Sequence, residues 1–299
     1  MNAELTQVLE VGNVLGEGVL WDAAGQAVWW TDIHAARLYR YRWGARQPDC
    51  LELPERLCAF ALTDATDVII AAFASGFARY DVARGEREWL ARPEAAYVGT
   101  RFNDGRVDRQ GRFWCGTMVE SEVATDAAGN AVRGSLYCLH GRTATAKLGG
   151  LRIPNSLCWN RAGDTMYLAD SPERTIWAFD FDPGRAELTN RRKFATTRSD
   201  AEPDGSCIDS ADYLWNAEWG GGRITRYSPG GRIDFELDVP VTRPTCAAFG
   251  GPGLDHLLIT SATDGLSEGE RQREPWAGHL LIYKTGVTGL AESRTRSDV

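Results

Sequence analysis

The sequence predicts an all-β fold, a six-bladed β-propeller, and three observations lead there. A unit of three short strand-like runs with a tight turn recurs six times. Aromatic and β-branched residues crowd those runs. No segment carries the 3.6-residue apolar period of a convincing amphipathic helix.

The units can be taken in order. The first runs through Leu15-Gly16-Glu17-Gly18-Val19-Leu20-Trp21, a turn at Ala24-Gly25, Val28-Trp29-Trp30-Thr31-Asp32 and Leu38-Tyr39-Arg40-Tyr41. A weaker second copy has Ala59-Phe60-Ala61-Leu62, Val68-Ile69-Ile70-Ala71 and Phe77-Ala78-Arg79-Tyr80. The third starts at Asn103 and continues through Phe113-Trp114-Cys115-Gly116 to Leu136-Tyr137-Cys138-Leu139. The fourth starts at Asn155 and the fifth at Asp204, each followed by a polar turn and two further strand-like runs. The sixth, again weaker, has Cys246-Ala247-Ala248-Phe249, Leu257-Leu258-Ile259-Thr260 and Leu280-Leu281-Ile282-Tyr283. Starts near residues 15, 59, 103, 155, 204 and 244 give a spacing of roughly 40–52 residues, the length of a four-stranded propeller blade. One such unit cannot bury both faces, so six must close around an axis, a better solution than a sandwich or solenoid. Residues 1–299 are accordingly read as a single propeller domain. Residues 118–134 and 264–278 lengthen the third and sixth units and are natural lids, while the polar tail 291–299 reads as frayed.

Composition narrows the function. The 33 Lys and Arg against 41 Asp and Glu give a net charge of −8 with no basic run, which argues against nucleic acid and anionic membranes as partners. The N-terminus lacks the pattern of a signal peptide, and no apolar run is long enough to span a bilayer. Seven cysteines, an odd number without a Cys-x-x-Cys pair, suit a reducing, cytoplasmic setting. Oligomeric state is unreadable.

The chemistry sits at the repeat starts. Ile153-Pro154-Asn155-Ser156-Leu157-Cys158 and Glu202-Pro203-Asp204-Gly205-Ser206-Cys207 superpose as equivalent positions. Proline fixes φ and removes a donor, which places each oxygen-bearing side chain at a rigid turn. The residue opening each innermost strand faces one mouth of the channel: Glu17, an apolar segment near Ala59, Asn103, Asn155, Asp204 and Pro244-Thr245. Glu, Asn and Asp converging there suit one hard divalent cation such as Ca, Mg or Mn, with Zn or Fe(II) open through oxygen; the competing role is hydrogen bonding to channel backbone. Arg101 adds a planar fork of donors beside Asn103. The histidines, His34, His140, His256 and His279, lie away from the repeat starts and read as solvated. With no Gly-x-Ser-x-Gly elbow, His-Glu-x-x-His or phosphate loop, channel chemistry would need a metal and carboxylates, with Asp204 as the base for water.

Several short motifs in order resemble the gluconolactonase/regucalcin (senescence-marker-protein) family of six-bladed propellers. They are Leu15-Gly16-Glu17-Gly18 with Trp21, Arg101-Phe102-Asn103-Asp104-Gly105, Gly111-Arg112-Phe113-Trp114, Gly116-Thr117-Met118, Pro154-Asn155-Ser156, Pro203-Asp204-Gly205 and Trp219-Gly220-Gly221-Gly222. The resemblance implies that Glu17, Asn155 and Asp204 are metal ligands, that Asp204 is also the general acid/base, and that Arg101 and Asn103 contact substrate. It implies hydrolysis of sugar 1,4- or 1,5-lactones to aldonic acids. Val19 stands where the family frequently has proline. Family members often carry two acids after Gly-Thr-Met; here Met118-Val119-Glu120-Ser121-Glu122 has Ser at the second place, leaving Glu120 as the substrate-contacting carboxylate, with Glu122 as the alternative. The rival functions are a non-catalytic metal-binding or scaffold propeller and, third, an esterase or phosphotriesterase.

Overall fold

The middle runs of each unit are apolar on both faces, so a one-sided sheet cannot satisfy them and each must be covered twice. In the computed structural model, which describes residues 2–121 and 123–298, six four-stranded antiparallel sheets give one another that cover as the blades of a β-propeller. After β1 (Ala3–Leu9), the first blade is β2 (Gly16–Asp22), β3 (Ala27–Asp32), β4 (Arg37–Arg42) and β5 (Asp49–Glu52). The second is β6 (Leu57–Leu62), β7 (Val68–Phe73), β8 (Gly76–Asp81) and β9 (Glu86–Ala91). The third is β10 (Thr100–Val107), β11 (Phe113–Val119), β12 (Gly134–His140) and β13 (Thr143–Leu151). The fourth is β14 (Pro154–Trp159), β15 (Thr165–Asp170), β16 (Thr175–Asp182) and β17 (Glu187–Thr196). The fifth is β18 (Glu202–Ile208), β19 (Leu214–Trp219), β20 (Arg223–Tyr227) and β21 (Ile233–Asp238). The sixth is built from β22 (Pro244–Gly250), β23 (His256–Ser261) and β24 (Leu280–Thr285), completed on its outer edge by β1.

That last pairing was not among the expectations from sequence. β1 runs antiparallel to β24 from Ala3 opposite Thr285 to Leu9 opposite Leu280, so the first strand of the chain closes the ring on the last blade. The outer strands were also invisible as apolar runs, for a simple reason. β6, β7 and β14 are buried at every residue, whereas β13 and β17 are largely exposed and polar.

Repeated turns hold the blades in register. Asp108 accepts from the backbone of Gln110 and Arg112 and from the indole of Trp114 at 2.9 Å; Asp209 does the same with Ala211, Tyr213 and Trp215. The residue closing each of these turns, Gly111 in one and Asp212 in the other, takes a positive φ. Cysteines 58, 115, 138, 158, 207 and 246 are buried and free; Cys50 is exposed and free.

Two expectations need correction. The insertion at 264–278 contains a short helix, α1 (Glu268–Arg273), opened by a capping box from Ser267 and Glu270. The tail is not frayed over 291–298. Thr295 pairs with the Thr63 segment, Arg294 bonds Asp22 at 2.6 Å, and Glu292 reaches Arg106 in the channel at 3.0 Å. It crosses the mouth opposite the repeat starts. No helix among the described residues is long and apolar enough to cross a membrane.

Candidate active site

The inner strands β2, β6, β10, β14, β18 and β22 touch in sequence around the channel and all enter it from one face. Each shows a register shift near its start, between Glu17 and Leu20, Leu57 and Ala59, Phe102 and Gly105, Asn155 and Cys158, Pro203 and Ser206, and Pro244 and Ala247. A bulge at the same level in every blade re-aims the side chains there toward the axis. Asn155 and Asp204 therefore stand inside strands at a bulge, not at turns before them.

A cavity of about 310 Å³ opens at this mouth, and Glu17, Arg101, Asn103, Glu120, Asn155 and Asp204 all line it. Glu122 lies outside the described residues. Asn103 is the hinge of a hydrogen-bonded chain. Its Nδ2 donates to Asn155 Oδ1 at 2.9 Å and to the Pro154 carbonyl, while its Oδ1 accepts from Arg101 Nη1 at 2.8 Å. Arg101 Nε donates to Glu120 Oε1 at 3.0 Å, and Arg56 grips the same carboxylate with two bonds, 2.5 and 2.9 Å. These guanidinium contacts, Arg56 foremost, hold Glu120 below the usual carboxylate range. Asn155 Nδ2 donates to Ser171 Oγ, which donates to the Pro203 carbonyl, tying blade four to blade five.

The carboxylates behave differently. Burial and the neighbouring charge of Asp104 push Glu17 up to about 8. Asp204 is 5% exposed and is driven well above its ordinary value by burial, then by Glu17 and Asp104. Its Oδ1 is buried and accepts no hydrogen bond from any described residue. A buried acceptor without a donor, facing a second carboxylate and an amide oxygen, is a donor set that wants a cation. The residues thus fit a hard divalent ion with Glu17, Asn155 and Asp204 as its protein ligands. Among the described residues no three His, Cys, Asp or Glu side chains form a metal cluster; this set has two carboxylates and an amide.

Sequence reasoning passed over several participants. Asp104, named in the Arg101–Gly105 motif without a role, lies in the channel, accepts from Leu157 N at 2.9 Å and is raised by burial. Ser156, at φ 62°, Ser206 and Asn216 form a fully buried network in which Asn216 Nδ2 donates to the Asp204 carbonyl at 2.9 Å and to both hydroxyls. The small residues after each proline–ligand pair, Ser156 in one and Gly205-Ser206 in the other, were the available signal for it. Trp219, Glu202 and Asp264 complete the wall, and His34, expected to be solvated and unrelated to the site, stands on its rim.

Comparison with known proteins gives a consistent setting for this geometry. A model of the SMP-30/gluconolactonase/LRE-like region matches residues 15–263. The chain is similar to L-arabinolactonase of Azospirillum brasilense, 36% identical over 292 residues, 97% of this chain and 95% of that protein. It is similar to 6-deoxy-6-sulfogluconolactonase of Pseudomonas putida, 34% identical over 296 residues, with 98% of each chain covered. The crystal structure of regucalcin, a calcium-binding protein of Agrobacterium tumefaciens, superposes with a TM-score of 0.88 at 28% identity over 98% of each chain.

Proposed function

The chain belongs to the SMP-30/gluconolactonase/LRE-like family, and from that membership we propose that it is a carboxylic-ester hydrolase that opens a sugar lactone to the aldonic acid. The substrate is a 1,4- or 1,5-aldonolactone, a pentonolactone or gluconolactone. The observation that carries the reading is the buried, undonated Oδ1 of Asp204 in a cavity that it shares with Glu17 and Asn155. One divalent ion, among Ca, Zn, Mn, Mg and Fe(II), bound by Glu17, Asn155 and Asp204 would polarise the lactone carbonyl.

The side chains supply the rest. Arg101 and Asn103, locked to each other, present a fixed polar edge to the ring oxygen and hydroxyls, and Glu120 accepts from a hydroxyl. Asp204, kept ionised and only modestly basic by a bound cation, takes a proton from the attacking water. The water oxygen bonds to the carbonyl carbon, the carbon–ring-oxygen bond breaks, and the proton passes to the ring oxygen. A carboxylic acid and a free hydroxyl result. An alkoxide leaving group asks less of such a base than an amine, which favours a lactone over an amide.

Acid release from glucono- and arabinono-lactone, followed with a pH indicator, tests this. Chelation should abolish turnover and an added divalent ion restore it. Asp204→Asn should lower kcat by about 10²–10⁴-fold with metal in excess; full activity of that variant would remove Asp204 from the chemistry. The similarity to a calcium-binding protein favours a second reading, a propeller that binds the ion without catalysis. It predicts metal-dependent stabilisation with no acid release from any aldonolactone.

A further inference from the structure

We infer that Arg56, which does not line the cavity, is a positioning residue for the reaction: it fixes the carboxylate of Glu120 so that one acceptor site is left for a single hydroxyl of the substrate. The inference rests on the lactonase reading above. The first, third, fourth, fifth and sixth blades all send polar side chains into the cavity. Among the described residues the second sends none, since its inner strand opens on the apolar, buried Leu57-Cys58-Ala59. What that sector offers instead is Arg56, one residue before β6.

The geometry around Glu120 is closed on three sides. Glu120 follows directly on β11, and its amide donates to the Gly99 carbonyl at 2.8 Å. Its Oε1 accepts from Arg56 Nη1 at 2.5 Å and from Arg101 Nε at 3.0 Å, and its Oε2 accepts from Arg56 Nη2 at 2.9 Å. A carboxylate offers about four lone-pair sites, so one, on Oε2, stays open. Arg101 alone would not fix the group. Its Nη1 is committed to Asn103 and the Phe102 carbonyl, and a single contact at Nε lets the carboxylate turn about its terminal bond. The two bonds from Arg56 define a plane and remove that rotation.

Arg56 has no competing task. Among the described residues its side chain bonds only Glu120, and its carbonyl accepts from Ala74 N at 2.8 Å, which fixes where the side chain begins. The adjacent Glu55 is matched elsewhere, by Arg87 at 2.9 Å and the Ser75 amide. Both partners of the Arg56–Glu120 pair are one-third exposed, and a pair so placed adds little to stability. Its effect is on aim. A charged acceptor with one open site takes one hydroxyl in one direction. Such a contact is made alike in the ground and transition states, so its loss appears in KM rather than kcat.

The test is a double-mutant cycle on the metal-loaded protein, with glucono-1,5-lactone and arabinono-1,4-lactone as substrates. Arg56→Met and Glu120→Gln should each lower kcat/KM by about tenfold, chiefly through KM, with melting temperatures near that of the wild type. The double variant should fall no further than about twofold below Glu120→Gln alone, because Arg56 acts only through that carboxylate. Arg56→Lys, which keeps the charge but not the fork, should recover only part of the loss. An Arg56→Met loss of equal size in both backgrounds overturns the inference, as does a wild-type KM in either single variant, a loss confined to kcat, or full recovery with lysine. If no lactone is opened with any of the five metals, the lactonase reading itself fails, a result distinct from an active enzyme indifferent to Arg56.

Discussion

Two residues show how local chemistry positions the candidate site. Asn216 spends its amide on the Asp204 carbonyl and on Ser156 and Ser206, all in the dry interior of the channel wall. Asn216→Ala should cost about 1–3 kcal/mol in urea unfolding, since the two hydroxyls lose the amide donor and the Asp204 carbonyl keeps only Ser156 Oγ, none of them gaining water. It should lower kcat more than it raises KM, because it loosens the backbone that aims Asp204. Glu120 is the second. Its folded pKa lies below the unfolded value of 4.5 through Arg56 and Arg101, so its stabilising contribution is complete above the unfolded pKa. It is lost as pH falls through the folded pKa. The difference in urea midpoint between wild type and Glu120→Gln should therefore be present at about pH 6 and fade as pH falls below the unfolded value and through the folded one; a difference independent of pH would mean that the carboxylate charge is not what Arg56 and Arg101 hold.

At the scale of the strand, the informative element is β1. Among the described residues it is the only strand joined to its blade from the opposite end of the chain, and its hold is mostly hydrogen bonding with one buried anchor. Leu9, 3% exposed, packs with Leu280 and Ile282, while Leu5 and Val8 are partly exposed. Leu9→Ala should destabilise by about 2–5 kcal/mol, as for other buried leucines, and Leu5→Ala by clearly less. Equal effects on thermal unfolding would contradict closure through that anchor. The inner strands carry a different lesson. Their shared bulge lets a glutamate, two asparagines and an aspartate from four blades meet without breaking the outer ladders, since the register recovers within a few residues.

For the whole molecule, the channel has two ends with separate tasks. One end gathers the carboxylates. The other is stoppered by the tail, where Glu292 pairs with a buried Arg106 that also donates to the Ser206 carbonyl of blade five. Glu292→Gln removes that guanidinium's ion pair and leaves it only the neighbouring charge of Asp104, and a loss of about 3 kcal/mol is expected on chemical denaturation. Truncation after residue 290 should cost at least as much; a tail that could be removed freely would show that the stopper is ornamental. The propeller itself was readable from residues, because the two-sided burial of strands such as Ala59–Leu62 and Leu157–Trp159 demands apolar runs that repeat. Five of the six residues assigned to the site were readable for a related reason, as Glu17, Arg101, Asn103, Asn155 and Asp204 stand at or beside a repeat start, whereas Glu120 was named only through the family resemblance. Polar strands left no such mark: β1, β13 and β17 look like loops, since an outer edge is held by backbone hydrogen bonds that any sequence can make. Spatial company was equally hidden. Asp104 had no role in its motif, His34 looked like a solvated residue and Glu292 like a frayed end, and only closure of the ring brought them to the channel. Periodic burial is written along the chain one residue at a time, whereas the pairing of charges from different blades exists only once the blades are packed.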